Sequence, residues 1–195
     1  MGLVNQTLQL HNRHTGERLH MTRGVENGRE VLYLEGSLPP HSEGPPMHIH
    51  VDQDESGEVV SGRLSAIVDG KTITLGSGER AFFPRGVRHR WWNAGDEPLV
   101  FKGKAEPAGD LDQFLEGMFA IINASASGRP SLFHIAHLSL RHPSQRVSPA
   151  PAWIDRILLR IIVAIGTLVG AYPASGWPGA PTIGRGDGKP RTTLA

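Results

Sequence analysis

Three histidines and one glutamate, in two short segments of the chain, have the residue types and spacing of a metal site. His48 and His50 are two residues apart, and in a strand such residues face the same side. The polar stretch 52–54 is suited to turning the chain. That turn places Glu55 at the beginning of the next strand, close to both histidines.

The fourth candidate ligand, His89, lies in the second segment. Pro84 and Gly86 suit a tight turn after an apolar run, and His89 then begins another strand with aromatic neighbours. Trp91 shares the parity of His89, so we expect it to face the same interior, as cavity wall or as core packing. Three imidazoles and one carboxylate suit a first-row divalent metal, and fewer than six protein ligands leave positions for water or substrate.

The composition excludes several other kinds of site. The chain has no cysteine, which excludes disulfides, thiol nucleophiles and cysteine-ligated zinc or iron–sulfur sites. Lysine and arginine number 20 against 19 acidic residues, a formal net charge of +1, so we expect no binding to nucleic acid. No apolar segment of secretory length begins the chain, which favours a cytoplasmic location.

The sequence of residues 1–106 is typical of an all-β domain. Short β-type runs such as 31–34, 64–68 and 81–83 alternate with turn residues. Asp69-Gly70 lies between two alternating runs, which is a strong hairpin signal. Many short strands at close spacing predict an antiparallel barrel or sandwich.

After residue 106 the hydrophobic period becomes helical, and we interpret 107–172 as a helical extension packed on the barrel or at a dimer interface. Asp110 is the expected N-cap of a first helix, whose apolar positions recur at helical spacing. A second helix is expected over 131–140, and a third from Pro151 to before Pro173. Residues 173–195 are rich in Gly and Pro, which predicts a flexible tail.

The apolar segment 157–172 raises the alternative of membrane attachment. A spanning helix needs about twenty predominantly apolar residues, and this segment is shorter. It also contains Arg160, which is costly inside lipid. We therefore expect the helix to dock on the barrel or on a second subunit.

The two ligand-bearing segments together resemble the paired motifs of the cupin superfamily, in its single-domain bacterial form. The first motif runs Gly, five residues, His-x-His, three or four residues, Glu, six residues, Gly. Gly62 closes it here, whereas the opening glycine is off-pattern because only three residues separate Gly44 from His48. The second motif runs Gly, five residues, Pro-x-Gly, two residues, His, three residues, Asn, and residues 78–93 match every fixed position.

This resemblance implies a double-stranded β-helix, or jelly roll, of six to eight strands, and a homodimer. It also implies one divalent metal held inside the barrel by His48, His50, Glu55 and His89. Iron, manganese, nickel, zinc and cobalt all accept these ligands, so the metal's identity stays open.

Three functions remain compatible with the sequence. The favoured hypothesis is a metal-dependent enzyme of the oxygenase (dioxygenase-like), isomerase or lyase type, acting on a small organic molecule. The second is a non-catalytic ligand-binding or sensory module with a structural metal, because a fold alone does not define a function. The third is a metal-free barrel, in which four buried polar side chains would carry an uncompensated desolvation cost.

Several other polar and aromatic residues are expected to take structural or solvent-exposed positions. Strand parity turns Glu58 away from the ligands, to the surface or to a position behind them, and turns Trp92 outward or into an interface. Asn93 is expected at a turn or strand end. The remaining histidines are expected to be solvated near turns or on helix surfaces: His11, His14, His20, His41, His134, His137 and His142.

Overall fold

The structure, a computed structural model, describes residues 7–147 and 150–172. Its strands in chain order are β1 (Thr7–His11), β2 (Arg18–Glu26), β3 (Arg29–Leu38), β4 (Ile49–His50), β5 (Asp54–Ser61), β6 (Leu64–Val68), β7 (Lys71–Leu75), β8 (Arg80–Phe83), β9 (His89–Asn93), β10 (Leu99–Glu106) and β11 (Gln145–Arg146). Its helices are α1 (Leu111–Ala124), α2 (Leu132–Arg141) and α3 (Ala152–Leu168).

Two-residue turns set the register of two hairpins. Asn27-Gly28 joins β2 to β3 with φ of 51° and 78°, and Asp69-Gly70 joins β6 to β7 with φ of 49° and 75°. Positive φ at both central residues matches the twist of the flanking strands, and Asn, Asp and Gly adopt it most readily. The hairpin predicted at Asp69-Gly70 is therefore confirmed by the pairing of β6 with β7.

Neighbours in the sheets are distant in sequence, which makes the fold a double-stranded β-helix. The large sheet has the order β1-β2-β3-β10-β5-β8, and a smaller one has the order β7-β6-β9. A third, two-stranded sheet pairs β4 with β11. An isolated bridge between His48 and His89 links the chain before β4 to β9. The predicted all-β core with C-terminal helices is confirmed, although the described residues form more strands than the six to eight expected.

The inward-facing residues of the sheets form the core. One cluster lies between the two larger sheets and contains Leu38, Val59, Leu64, Ala66, Ala81, Phe83 and Leu99. A second cluster joins β2 and β3 to α1 and includes Leu19, Met21, Leu32, Leu34, Leu111 and Phe119. The first helix therefore closes one part of the sheet interior with its apolar face.

The remaining helices stack outward from α1. Leu138 of α2 is buried against Gly117 of α1, where an added Cβ would lie 2.6 Å from a Leu138 methyl. Gly166 of α3 packs in the same way against Phe133 of α2 and against Tyr172. A small residue at each crossing allows the helices to approach closely.

The helix α3 has one packed face and one exposed apolar face. Its contacts in the described part of the chain are mainly with α2. The exposed large apolar residues are Trp153, Ile157, Leu158, Ile161, Ile165, Leu168 and, just after the helix, Val169. None of the helices described is both long and apolar enough to cross a membrane. The tail expected over 173–195 lies outside the described residues.

Candidate metal centre

Strand pairing brings the two ligand-bearing segments together. His48 and His89 face each other as a reciprocal pair: His48 N–H donates to His89 O at 2.9 Å, and His89 N–H donates to His48 O at 3.0 Å. His50 lies in β4, two residues on, so it shares the face of His48. Glu55 is near the beginning of β5 in the large sheet, paired with Ala105 and Phe83.

The four side chains converge on one point. His48 Nε2 lies 3.1 Å from His50 Nε2, and Glu55 Oε2 lies 3.4 Å from His50 Nε2 and 3.3 Å from His89 Nε2. One ligand atom from each of the four residues lies within 4.8 Å of all the others. This His/His/Glu/His group could hold a metal ion.

Burial and missing hydrogen bonds indicate that the group suits a ligand at its centre. The side chains of His89 and His50 are 0% and 4% exposed, and that of Glu55 is 17% exposed. In the described part of the chain, Glu55 Oε2 and His89 Nε2 are buried without a hydrogen-bond partner. Such atoms are costly unless another group satisfies them, and imidazole nitrogens with a carboxylate oxygen fit a divalent transition metal.

Hydrogen bonds to the far side of each imidazole fix its tautomer. His48 Nδ1 lies 2.8 Å from Pro46 O, and His89 Nδ1 lies 3.0 Å from Val87 O. His50 Nδ1 lies 2.5 Å from Gln145 Oε1. Backbone carbonyls only accept, so Nδ1 of His48 and of His89 must carry the proton. Their Nε2 lone pairs then point into the group, as metal ligation requires.

The side chains of the group shift one another's pKa values. Burial, followed by the nearby His50 and His89, lowers the pKa of His48 to about 4. Burial opposes ionisation of Glu55, but the adjacent imidazoles of His50 and His89 outweigh it and hold the Glu55 pKa well below its usual range. For His50 burial favours the neutral form, yet the adjacent Glu55 carboxylate raises its pKa. Glu55 is thus the resident negative charge of the site.

A pair of buried glutamines extends the hydrogen-bond network from His50 toward the helices, and the sequence analysis missed it. Gln145 Nε2 donates to Gln53 Oε1 at 2.5 Å, and Gln53 Nε2 donates to Ala108 O at 2.6 Å and to Pro107 O at 3.1 Å. Both side chains are buried. No local signal marks Gln145, because it lies 95 residues from His50 in a segment interpreted as helical.

His142 is also buried, and the expectation that it lies on a helix surface was wrong. Its Nδ1 donates to Asp110 Oδ2 at 2.7 Å, and Ser144 Oγ donates to Asp110 Oδ1 at 3.2 Å. Asp110 occupies the expected N-cap position of α1 but makes no capping hydrogen bond. The carboxylate serves His142 and Ser144 instead, an interaction across 32 residues of sequence that helix periodicity does not reveal.

The other histidines fall into two groups. His134 and His137 are half-buried on α2, with ring centroids 5.9 and 5.5 Å from that of Tyr172. The four near the N-terminal turns are exposed, as expected: His11, His14, His20 and His41.

The remaining residues singled out by sequence take structural positions. Glu58 lies on the outer face of β5 and pairs with Arg80 and Lys102. Trp92 is half-buried on the face opposite Trp91, with the Arg90 guanidinium 4.7 Å above its ring. Asn93 is buried at the end of β9 and donates to the carbonyls of Leu38, Pro39 and Glu97, which holds two loops together.

A cavity of about 620 Å³ adjoins the metal-ligand group. His48, His50 and Glu55 line it, and Trp91 forms part of its wall while packing edge-on against Phe101 at 4.9 Å. Most of the other lining residues are apolar and come from both the barrel and the helices, among them Leu19, Leu34, Val59, Phe83, Phe114, Met118, Phe119, Ile122 and Ile135. The arrangement suits a small, largely apolar molecule enclosed between barrel and helices.

Glu17 is a polar exception in this apolar wall and was not singled out from the sequence. It lies just before β2, with the same parity as the buried Leu19 and Met21, and it lines the cavity. Burial raises its pKa to about 7. The signal available was this parity, which turns a charged residue toward the interior.

Comparison with known families places the ligand group inside a recognised domain. Residues 34–102 match the family model described as "Cupin domain". That stretch contains His48, His50, Glu55 and His89. The finer resemblance to single-domain bacterial cupins stays a prediction, since the two relatives described next are fungal.

Two named proteins are similar in sequence. Oxidoreductase iacF of Pestalotiopsis fici is 40% identical over 76 residues, which are 37% of this chain and 37% of that protein. Probable oxidoreductase virH of Hypocrea virens is 29% identical over 163 residues, 75% of this chain and 73% of that protein. The match to the first spans little more than a third of its length.

Three bacterial solved structures are similar to part of this chain. KdgF from Halomonas sp. is 16% identical, with 57% of this chain and 99% of that chain covered and a TM-score of 0.44. An RmlC-like cupin from Shewanella frigidimarina is 21% identical, with 55% and 88% covered and a TM-score of 0.43. A predicted oxalate decarboxylase from Thermotoga maritima is 20% identical, with 54% and 99% covered and a TM-score of 0.42.

Proposed function

We propose that the cupin domain of this chain binds one divalent transition metal through His48, His50, Glu55 and His89. We further propose that the protein is a metal-dependent enzyme acting on a small organic molecule. The observation that carries the proposal is the convergence of three Nε2 atoms and one carboxylate oxygen within 4.8 Å. The bonds at Nδ1 of His48 and His89 support it, because they leave those Nε2 atoms free to bind a metal.

The chain's own residues and the metal have separate tasks in this proposal. When bound, the metal supplies Lewis-acid or redox chemistry at coordination positions that the four protein ligands leave open. Glu55 offsets part of the metal's charge, and the imidazoles hold it at a fixed point of the wall. The apolar residues around the cavity exclude water and orient the substrate against that point.

The cavity and the relatives narrow the reaction class. A volume of about 620 Å³ within a mostly apolar wall favours a small, largely apolar organic substrate. Both fungal relatives are named oxidoreductases, which favours the oxygenase type over the isomerase and lyase types. Iron, manganese, nickel, zinc and cobalt all remain candidates for the metal.

Metal analysis of ligand variants tests the site. In protein purified without chelators we expect about one metal per chain, and loss of that metal in His48→Ala and His89→Ala, because each variant removes one of few ligands. His41→Ala is the matched control, since His41 is an exposed histidine of the same domain. Stoichiometric metal in both ligand variants would refute the assignment.

Turnover separates an enzyme from a binding module. We expect the metal-loaded chain to convert at least one member of a panel of apolar aromatic and aliphatic alcohols, ketones and acids, with oxygen uptake measured in parallel. The enclosed cavity would also serve a non-catalytic ligand-binding or sensory protein. Tight binding of panel members with no conversion by the metal-loaded chain would favour that second function.

We also propose that the protein is a cytoplasmic homodimer. The exposed apolar side chains Ile157, Ile161 and Ile165 recur at four-residue spacing along one face of α3, and a second copy would cover them. Light scattering should then give twice the mass of one chain, and Ile161→Lys should shift it to the mass of one chain.

A further inference from the structure

The helical extension reaches the candidate metal centre through a two-residue strand. β11 pairs with β4, so that Gln145 lies opposite His50 and Arg146 opposite Ile49. Val51 N–H also donates to Ser144 O at 2.9 Å. The strand that carries one metal ligand is therefore hydrogen-bonded to a segment outside the family-matched residues 34–102.

The Gln145 amide can be oriented in only one way. Gln53 uses its NH₂ group on the carbonyls of Ala108 and Pro107, so its Oε1 is the acceptor that faces Gln145. Gln145 must present its NH₂ group to that oxygen, which turns its own Oε1 toward His50 Nδ1 at 2.5 Å. Gln145 Oε1 therefore accepts a hydrogen bond from His50 Nδ1–H. This bond directs His50 Nε2 toward Glu55 and the other ligands.

A hydrogen bond and an ion pair hold this strand between the helices. His142, at the end of α2, is fixed by Asp110 at the start of α1. Arg146 Nε donates to Asp155 Oδ2 of α3 at 3.2 Å, and the two side chains are 19% and 13% exposed. The position of Gln145 thus depends on how α1, α2 and α3 are docked.

We propose that Gln145 is a positioning residue for the metal ligand His50, and that metal binding is thermodynamically coupled to docking of the helical extension. This inference rests on the proposed metal site. Coupling of this kind is reciprocal: an extension that orients His50 strengthens metal binding, and a bound metal strengthens docking by the same factor.

Substitution of Gln145 in the full chain tests the positioning role, with Co²⁺ as the probe. Gln145→Met is close in shape but accepts no strong hydrogen bond, and we expect it to weaken Co²⁺ binding by about 10- to 100-fold and to change the Co²⁺ absorption spectrum. Gln145→Glu keeps an acceptor for His50 Nδ1–H but loses the donor to Gln53 Oε1, so it should restore the wild-type spectrum and only part of the affinity. Gln113→Met, at an exposed position of α1, is the matched control and should bind Co²⁺ like the wild type.

Hydrogen exchange tests the coupling. Co²⁺ binding should slow amide exchange in 142–147 and in α3. The slowing factor should equal the factor by which Gln145→Met weakens Co²⁺ binding. In the Gln145→Met variant, Co²⁺ should not slow exchange in these segments. Thermal unfolding of the metal-free variant would show that it still folds.

The possible failures are distinguishable. If Gln145→Met binds Co²⁺ with wild-type affinity and spectrum while His89→Ala does not bind it, the positioning role is refuted and the metal site stands. Equal exchange with and without Co²⁺ would refute the coupling. Absence of Co²⁺ binding by the wild type would refute the metal site itself, and this inference with it.

Discussion

The barrel and the helical extension contribute to one site in opposite ways. The barrel supplies the four candidate ligands from two short segments whose residue spacing can be read directly. The extension supplies Gln145 and about a third of the residues that line the cavity, with no recognisable motif. The ligand pattern therefore describes only part of this site, because orientation and desolvation come from residues that pack on it.

The largest effect on stability is expected from a cavity created in the helical extension, which tests how much the extension contributes to the whole protein. Leu138→Ala removes a side chain that is 1% exposed and packed against α1, and we expect it to lower the free energy of unfolding by about 2–5 kcal/mol. Urea denaturation measures this, and Leu132→Ala, at a residue 62% exposed, is the control with little expected change. Equal midpoints for the two variants would show that the extension contributes little to the stability of the whole.

A smaller effect is expected at the boundary of the two regions, where Glu17 lines the cavity. Its pKa rises from 4.5 to about 7 through burial, so between these values the folded chain holds a proton that the unfolded chain has lost. Stability should therefore fall as pH rises through this window. Glu17→Gln lacks this penalty and should gain about 1–3 kcal/mol over the wild type between pH 4 and pH 8.

Denaturation of both proteins at a series of pH values checks the Glu17 prediction. Glu35→Gln, on the exposed face of β3, is the control and should follow the wild-type profile. A pH-independent difference between wild type and Glu17→Gln would mean that Glu17 ionises normally. The cavity wall would then be open to water at that point.

The smallest effect is expected on the outer face of the barrel. Glu58 pairs with Arg80 and Lys102, whose side chains are 77% and 55% exposed, and pairs of this kind contribute about 0–1 kcal/mol. Glu58→Ala should change stability within that range and leave the metal content unchanged. Loss of metal in this variant would mean that ion pairs on the outer face of β5 control the position of Glu55. Orientation of the ligands would then not depend on the helical extension alone.

The sequence by itself determined the local features of this protein. Strand parity placed His48 and His50 on one face and turned Glu58 outward, and Asp69-Gly70 determined a hairpin. These features need only a few neighbouring residues, because side-chain alternation and turn dihedrals are properties of the local backbone. The helix positions of the extension were predictable for the same reason.

Only the tertiary structure decided which distant groups meet. Gln145 reaches His50, His142 reaches Asp110, and Glu17 enters an apolar wall, through contacts that join segments far apart in sequence. The first two contacts depend on long-range packing of strands and helices, which no local pattern encodes, and for Glu17 strand parity gives only the direction of the side chain. The physical reason is that burial and hydrogen-bond partners are set by the folded surroundings of a side chain, whereas its residue type and spacing fix only the direction in which it points.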